Sequence, residues 1–171
     1  MAARKRSHKY TKTPLNSKDK RKIYDAAPIS ESTKITVSKA NRNNTAYREA
    51  LIRSYLKKID DLIDCPALGE KVIVMKKGKD ETANKAKLSF KSTISVLNLK
   101  EALGNAVYIK PLPPKDNKNQ ACFRKMHLLI CPIKRVGYAK IIVGEFFEVT
   151  KIPTKFAHYC ITHISLKEIK G

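Results

Sequence analysis

The chain contains no tryptophan, only six glycines in 171 residues, and no CxxC pair. Scarce glycine without a G-X-Y period excludes collagen-like and low-complexity structure. The four cysteines, Cys65, Cys122, Cys131 and Cys160, do not cluster with histidine at zinc-ligand spacing. They are read as buried free thiols in a reducing compartment, and no metal or cofactor is expected. No run of 18 apolar residues occurs, so no membrane span is predicted. The basic start MAARKRSHKYTK lacks the apolar stretch of a secretory signal, and a cytoplasmic protein of a prokaryotic host or phage is the expectation. No GxSxG elbow, HExxH helix or Walker-type phosphate loop is present. The carboxylates are few and scattered, without the pairing a two-metal nuclease needs.

Acids are outnumbered: 15 Asp and Glu stand against 36 Lys and Arg, a formal net charge of +21. Such an excess repels itself in a compact state and attracts polyanions, nucleic acid before an anionic membrane surface. Residues 1–29 read as a basic, disordered arm. Nine Lys or Arg lie in its first 24 residues, among them Arg4, Lys5, Arg6, Lys20, Arg21 and Lys22, with Asp19 the one acid there. Few apolar residues accompany them, so the arm is expected to stay unfolded and to tether nucleic acid electrostatically.

Residues 30–66 read as a short strand, TKITVS (33–38), followed by an amphipathic helix from Thr45 to Ile63 capped by Asn44 or Thr45 and closed by Pro66. That helix would carry Asp60, Asp61 and Asp64 near its C-terminal end, against the helix dipole. Its apolar stripe is a docking face, onto this protein's own core or onto a partner protein. Residues 70–171 form the remaining unit. KVIVM (71–75) reads as a strand, KKGKDETANK as a turn, and KLSF (87–90) as a strand leading into a helix near 93–103 capped by Ser92. AVYIK (106–110) is a further strand and PLPPKDNKNQ a loop.

Three successive strands close the chain: CFRKMHLLICPI, YAKIIVGEFFEV and FAHYCITHISL. Strand side chains alternate between faces. Met126, Leu128 and Ile130 would then face a core, with Lys125 and His127 on the other side. Ile141 and Val143 would oppose Lys140, and Tyr159 and Ile161 would oppose His158 and Thr162. His163 has the opposite parity. Short links between strands imply antiparallel pairing. The fold expected is α+β: a four- to five-stranded antiparallel sheet with one or two helices packed on one face.

The pieces KLSFKS, LKEALGNAVYI, RKMHLLICPI, YAKIIVGE and FAHYCITHI, across residues 87–168, resemble the small α+β domains of large polyvalent proteins of phages and conjugative elements. Those domains are grouped with the barnase, EndoU, colicin and RelE ribonuclease-like folds. His127 stands at that family's strand histidine, and Lys140 and Glu145 at its Lys and Glu. Its last strand often reads Tyr-Asp-His, where this chain has Ala157-His158-Tyr159. The resemblance implies a metal-independent, RNA-cleaving or RNA-binding domain of a mobile element. It favours RNA over DNA as ligand, with an antitoxin or immunity-type protein as the kind of partner such a domain has.

Metal-free RNA cleavage needs a base for the 2′-proton, an acid for the leaving oxygen and a cation for the phosphorane. Histidine suits the first two roles and lysine the third. The candidate catalytic set is His127, His158 and Lys140, with Lys91 and Lys125 as further phosphate contacts. Arg124 has the wrong parity unless a bulge intervenes. Exposed aromatics among Tyr108, Tyr138, Phe146, Phe147 and Tyr159 could stack on unpaired bases. The alternatives are a non-catalytic DNA- or RNA-binding accessory protein and a protein-interaction module.

Overall fold

The computed structural model describes residues 15–30, 39–148 and 152–170. Arg4, Lys5 and Arg6 and the TKITVS segment lie outside the described residues. The architecture is α+β, around a six-stranded mixed sheet in the order β1-β2-β6-β5-β4-β3. The strands are β1 (Leu62–Cys65), β2 (Glu70–Ile73), β3 (Val107–Leu112), β4 (Phe123–Ile133), β5 (Gly137–Phe146) and β6 (Phe156–Ile164). All neighbours are antiparallel except β2 and β6, which run parallel. The expectation of four or five purely antiparallel strands is therefore corrected. Leu62 and Ile63, read as the helix end, instead open β1, which pairs antiparallel with β2. β2 joins β6 through a long crossover, and a crossover permits parallel pairing.

Part of the expected arm is ordered. Helix α1 (Ser17–Asp25) opens on a capping box in which the Asn16 side chain accepts from Asp19 N–H and the Asp19 carboxylate accepts from Asn16 N–H. Its Ile23 is fully buried against Ile109, Leu128 and Ile130 of the sheet. The short helix α2 (Lys39–Arg42) precedes α3 (Thr45–Lys58), which is capped by Asn44. Helix α3 stops five residues earlier than its apolar periodicity suggests, because Leu62 and Ile63 turn into β1. The apparent conflict with the helix dipole disappears with this boundary. Lys57 and Lys58 occupy the last turn, where cations are favoured, and Asp60, Asp61 and Asp64 lie beyond it.

The segment read as a turn, KKGKDETANK, is helix α4 (Lys76–Ala86). KLSF is not a strand. It links α4 to α5 (Phe90–Leu97), whose cap is Ser89 rather than Ser92, and α6 (Leu99–Asn105) follows. Helix α7 (Leu166–Lys170) ends the chain. Among the described residues, no strand pairs with the outer edge of β6 beyond Ala157. Helices α4 and α5 pack there instead, and Ser92 Oγ accepts the His163 N–H at 3.0 Å. An uncovered edge of this kind would leave ladder groups unpaired.

Both faces of the sheet are covered, contrary to the expectation of one greasy and one cationic side. The larger core puts Leu129, Cys131, Ile141, Val143 and Ile161 under α3–α6, with Ile63 and Val72. The opposite face packs Leu128 and Ile130 against Ile23 of α1 and Ile169 of α7. Each fully buried aliphatic side chain contributes roughly 1.5–3 kcal/mol. Cys65, Cys131 and Cys160 are buried free thiols, while Cys122 is exposed just ahead of β4. No helix among the described residues is long and apolar enough to cross a membrane.

Candidate functional site

Strand register decides which of the candidate groups meet. His127 of β4 lies opposite Val143 of β5, and Val143 lies opposite His158 of β6. The two histidines thus share the helix-covered face with one valine between them. Two strand spacings separate them by roughly 10 Å, too far to serve one phosphate oxygen. His158 reaches this face through an irregularity in β6. Cys160 pairs with Ile142 and His158 with Val143, so Tyr159 is an extra residue and every side chain before it changes sides.

Lys140 does not join them. It pairs with Ile130 and Thr162, and its neighbours Ile141 and Val143 hold the helix side. The sequence-derived set His127, His158 and Lys140 is therefore split across the sheet, with His127 on the face opposite the one assumed for it. Alternation within each strand was legible, but the offset between strands was not.

His158 is sealed in. Its ring is 1% exposed, Nε2 lies 2.9 Å from Thr82 Oγ1 of α4, and Nδ1 is buried without a partner. Placing the proton on Nε2, where it donates to Thr82, leaves a bare acceptor rather than an orphaned donor at Nδ1. Burial pushes its pKa down to about 3. A neutral imidazole with no path to solvent is unsuited to exchanging protons with a substrate.

His127 has richer surroundings. Its Nδ1 is 2.9 Å from the Tyr108 hydroxyl of β3, and its Nε2 is 3.1 Å from Glu145 Oε1 of β5. Arg124 Nε holds the other carboxylate oxygen at 2.9 Å. The bulge needed for Arg124 is present: the β4–β5 register shifts between Phe123 and Lys125. The edge of the His127 ring arrangement is completed by Phe156, in T-shaped contact at 5.5 Å. Burial lowers the His127 pKa, and Glu145 opposes that shift without reversing it. The carboxylate favours a proton on Nε2, so Nδ1 accepts from the Tyr108 hydroxyl. Burial, with a smaller push from Glu145, raises the Tyr108 pKa and keeps the phenol protonated. Tyr108, His127 and Glu145 thus form one continuous hydrogen-bonded relay, with the phenol held protonated at its end. Both ring nitrogens of His127 are engaged, so any proton from a substrate must pass through Tyr108 or Glu145.

Lys125 is in register with Glu145 and lies within electrostatic reach of His127. Lys91 on α5 instead faces His163, far from this network in the topology. On α1, Arg21 is exposed, Lys20 is half-buried, and Lys22 Nζ donates to the Ile109 carbonyl at 3.0 Å, which ties it to the sheet. Of the aromatic candidates, Phe147 is exposed, while Tyr159 and Phe123 are buried in edge contact at 6.3 Å. Among the described residues no three His, Cys, Asp or Glu side chains gather as metal ligands do.

On the other face Lys140 opens into a cavity of about 200 Å³ shared with Lys85 and Lys115. Neither Lys85 nor Lys115 was singled out from the sequence. Lys115 sits in the PLPPKDNKNQ loop. Lys85 lies on the unanticipated helix α4 and reaches past the open edge of β6.

Comparison of the chain with protein-family models, with curated proteins and with solved structures gives no match.

Proposed function

We propose that the protein binds nucleic acid through its phosphates, as a non-catalytic partner, with RNA the first ligand to test. The observation that carries this reading is the uncompensated positive charge. Asp19, Glu49, Asp60, Asp80, Glu81 and Glu145 are each engaged by a Lys or Arg within 3.0 Å. With 36 cations to 15 acids, the carboxylates are too few to neutralise most of the Lys and Arg side chains. Polyanions satisfy such a surface by releasing condensed counterions. The separation of His127, His158 and Lys140 speaks against two-histidine transphosphorylation.

One arrangement favours a second reading. The Tyr108–His127–Glu145 relay has the geometry of a proton-transfer site, and it could support RNA cleavage with a single histidine. Incubation of the purified protein with labelled RNA in EDTA separates the two. Retention of intact RNA is expected. Cleavage that disappears in both His127→Ala and Glu145→Gln would replace the first reading with the second, and absence of retention would reject both.

A further inference from the structure

We infer that the cavity of Lys85, Lys115 and Lys140 seats a terminal phosphate of a bound nucleic-acid strand. This inference rests on the nucleic-acid reading above and names the one place where a single phosphate is held. The cavity, about 200 Å³, is bounded by the 113–120 loop on one side and by Lys85 of α4 on the other. Its floor is apolar, made by Leu112, Met126 and Ile142. No carboxylate lines it.

Lys140 stands at the centre of the argument. It rises from the middle of β5 between Ile130 and Thr162 and is half-buried. Among the described residues its ammonium has neither a hydrogen bond nor an ion pair. Burial lowers its pKa; Cys160 and the Glu168 carboxylate oppose that shift, and Lys115 and Lys85 add weakly to it. A half-buried cation facing two others is costly in the empty protein, and an anion removes that cost. Lys115 likewise has no acidic partner. Lys85 is paired with Glu81 at 3.0 Å, which restrains its side chain beside the opening.

The loop is fixed rather than draped over the hollow. Gln120 Oε1 accepts the Lys115 N–H at 2.7 Å, and Asn117 Oδ1 accepts the Gln120 N–H at 2.9 Å. Gln120 and Tyr159 of β6 line the cavity together. The Lys115 backbone is thereby fixed at the rim of the cavity.

Lys140 and Lys115, with Lys85 shared with Glu81 beside them, match a phosphomonoester, which carries close to two negative charges at neutral pH, better than a singly charged diester. A hollow closed by a loop and a helix also suits a chain end, because an internal phosphate brings a nucleotide on each side. The apolar floor can take the adjoining sugar. Inorganic phosphate and mononucleotides share this chemistry.

The test compares oligonucleotides of one sequence that carry either a 5′-phosphate or a 5′-hydroxyl, with a 3′-phosphate version as a third arm. Affinity for the full chain is read by fluorescence anisotropy. A terminal phosphate at one end should improve affinity at least about tenfold, the scale of a charge-assisted contact set. Lys140→Met should erase the difference, as should saturating inorganic phosphate. Lys140→Met keeps the side-chain bulk and removes a desolvated charge, so its melting temperature should equal or exceed that of the unmodified chain. Should that variant misfold, Lys115→Met in the exposed loop must reduce the difference in the same direction. Equal binding of phosphate- and hydroxyl-ended strands overturns the assignment while the nucleic-acid reading stands. Binding of inorganic phosphate or a mononucleotide that depends on Lys140, without an end effect, makes this a free-phosphate site and also overturns it. Failure of every oligonucleotide to bind removes the nucleic-acid reading itself.

Discussion

Replacing Gly78 by alanine should destabilise the protein by roughly 2–3 kcal/mol, the cost of forcing extra volume into a packed contact. Helix propensity alone gives the opposite sign, since alanine in a helix interior is favoured over glycine by about 1 kcal/mol. The packing term wins because of what lies beside Gly78. A methyl built there would overlap the His158 carbonyl oxygen, which is backbone and has no rotamer to give way. Glycine at this position lets α4 lie directly on the edge of β6, and that approach brings Thr82 to the His158 ring. Gly104 in α6 is the matched control. A methyl there meets nothing within 4 Å, so Gly104→Ala should be neutral or stabilising by up to about 1 kcal/mol. Urea unfolding at neutral pH measures both. A Gly78→Ala protein as stable as its parent would mean that α4 does not cover the β6 edge as described.

The second large effect is acid sensitivity originating at His158. Its folded pKa of about 3 lies below the ordinary histidine value of 6.5, so the unfolded chain takes up the proton first. The stabilisation from keeping this ring neutral is complete above pH 6.5. It is lost progressively as pH falls towards 3, at up to about 1.4 kcal/mol per pH unit for one proton. Burial also lowers His127 and His163, and these act in the same direction. Between pH 6.5 and 4.5 the histidine contribution can be read with little interference from carboxylates, which protonate mainly below that window. Two readouts apply. Stability should fall steeply across the window, and the fall should be shallower by close to one proton in His158→Gln. In NMR spectra of the folded protein, the His158 ring should show no titration from pH 8 to 4.5. A midpoint near 6 would show that the ring is open to solvent.

The three C-terminal strands were legible because β-branched, aliphatic and aromatic residues predominate from Met126 to Ile133, from Ala139 to Val143 and from Phe156 to Ile164. Helix α4 was not. Its segment is mostly polar and contains a glycine, and only Ala83 and Ala86 supply buried apolar side chains. The helix is stabilised by docking on a strand edge, a tertiary cause that leaves little local trace. Helix α1 did leave one, the Asn16–Asp19 capping box, but with Ile23 as its single buried apolar residue the charge-rich stretch reads as a tail.

The site was legible in its residue types and not in its geometry. His127 and Lys140 were correctly placed within their strands. The face each occupies depends on the β4–β5 offset, and the face of His158 depends on a bulge at Tyr159 that no pattern in FAHYCITHI announces. The pairing of His127 with Glu145 follows from that same offset. The convergence of Lys85 and Lys115 on Lys140 required a helix and a loop whose positions only the assembled sheet defines.

Charge-driven binding of nucleic acid is tested most directly by the salt dependence of affinity. Dissociation constants for a single-stranded RNA, measured by anisotropy from about 50 to 200 mM salt, should give a log–log slope steep enough for several phosphate contacts. Removal of residues 1–14, which stops short of α1 and so spares the packing of Ile23, should make that slope shallower. No binding, or an affinity that does not change with salt, would contradict the proposal that this protein meets its partner through phosphates.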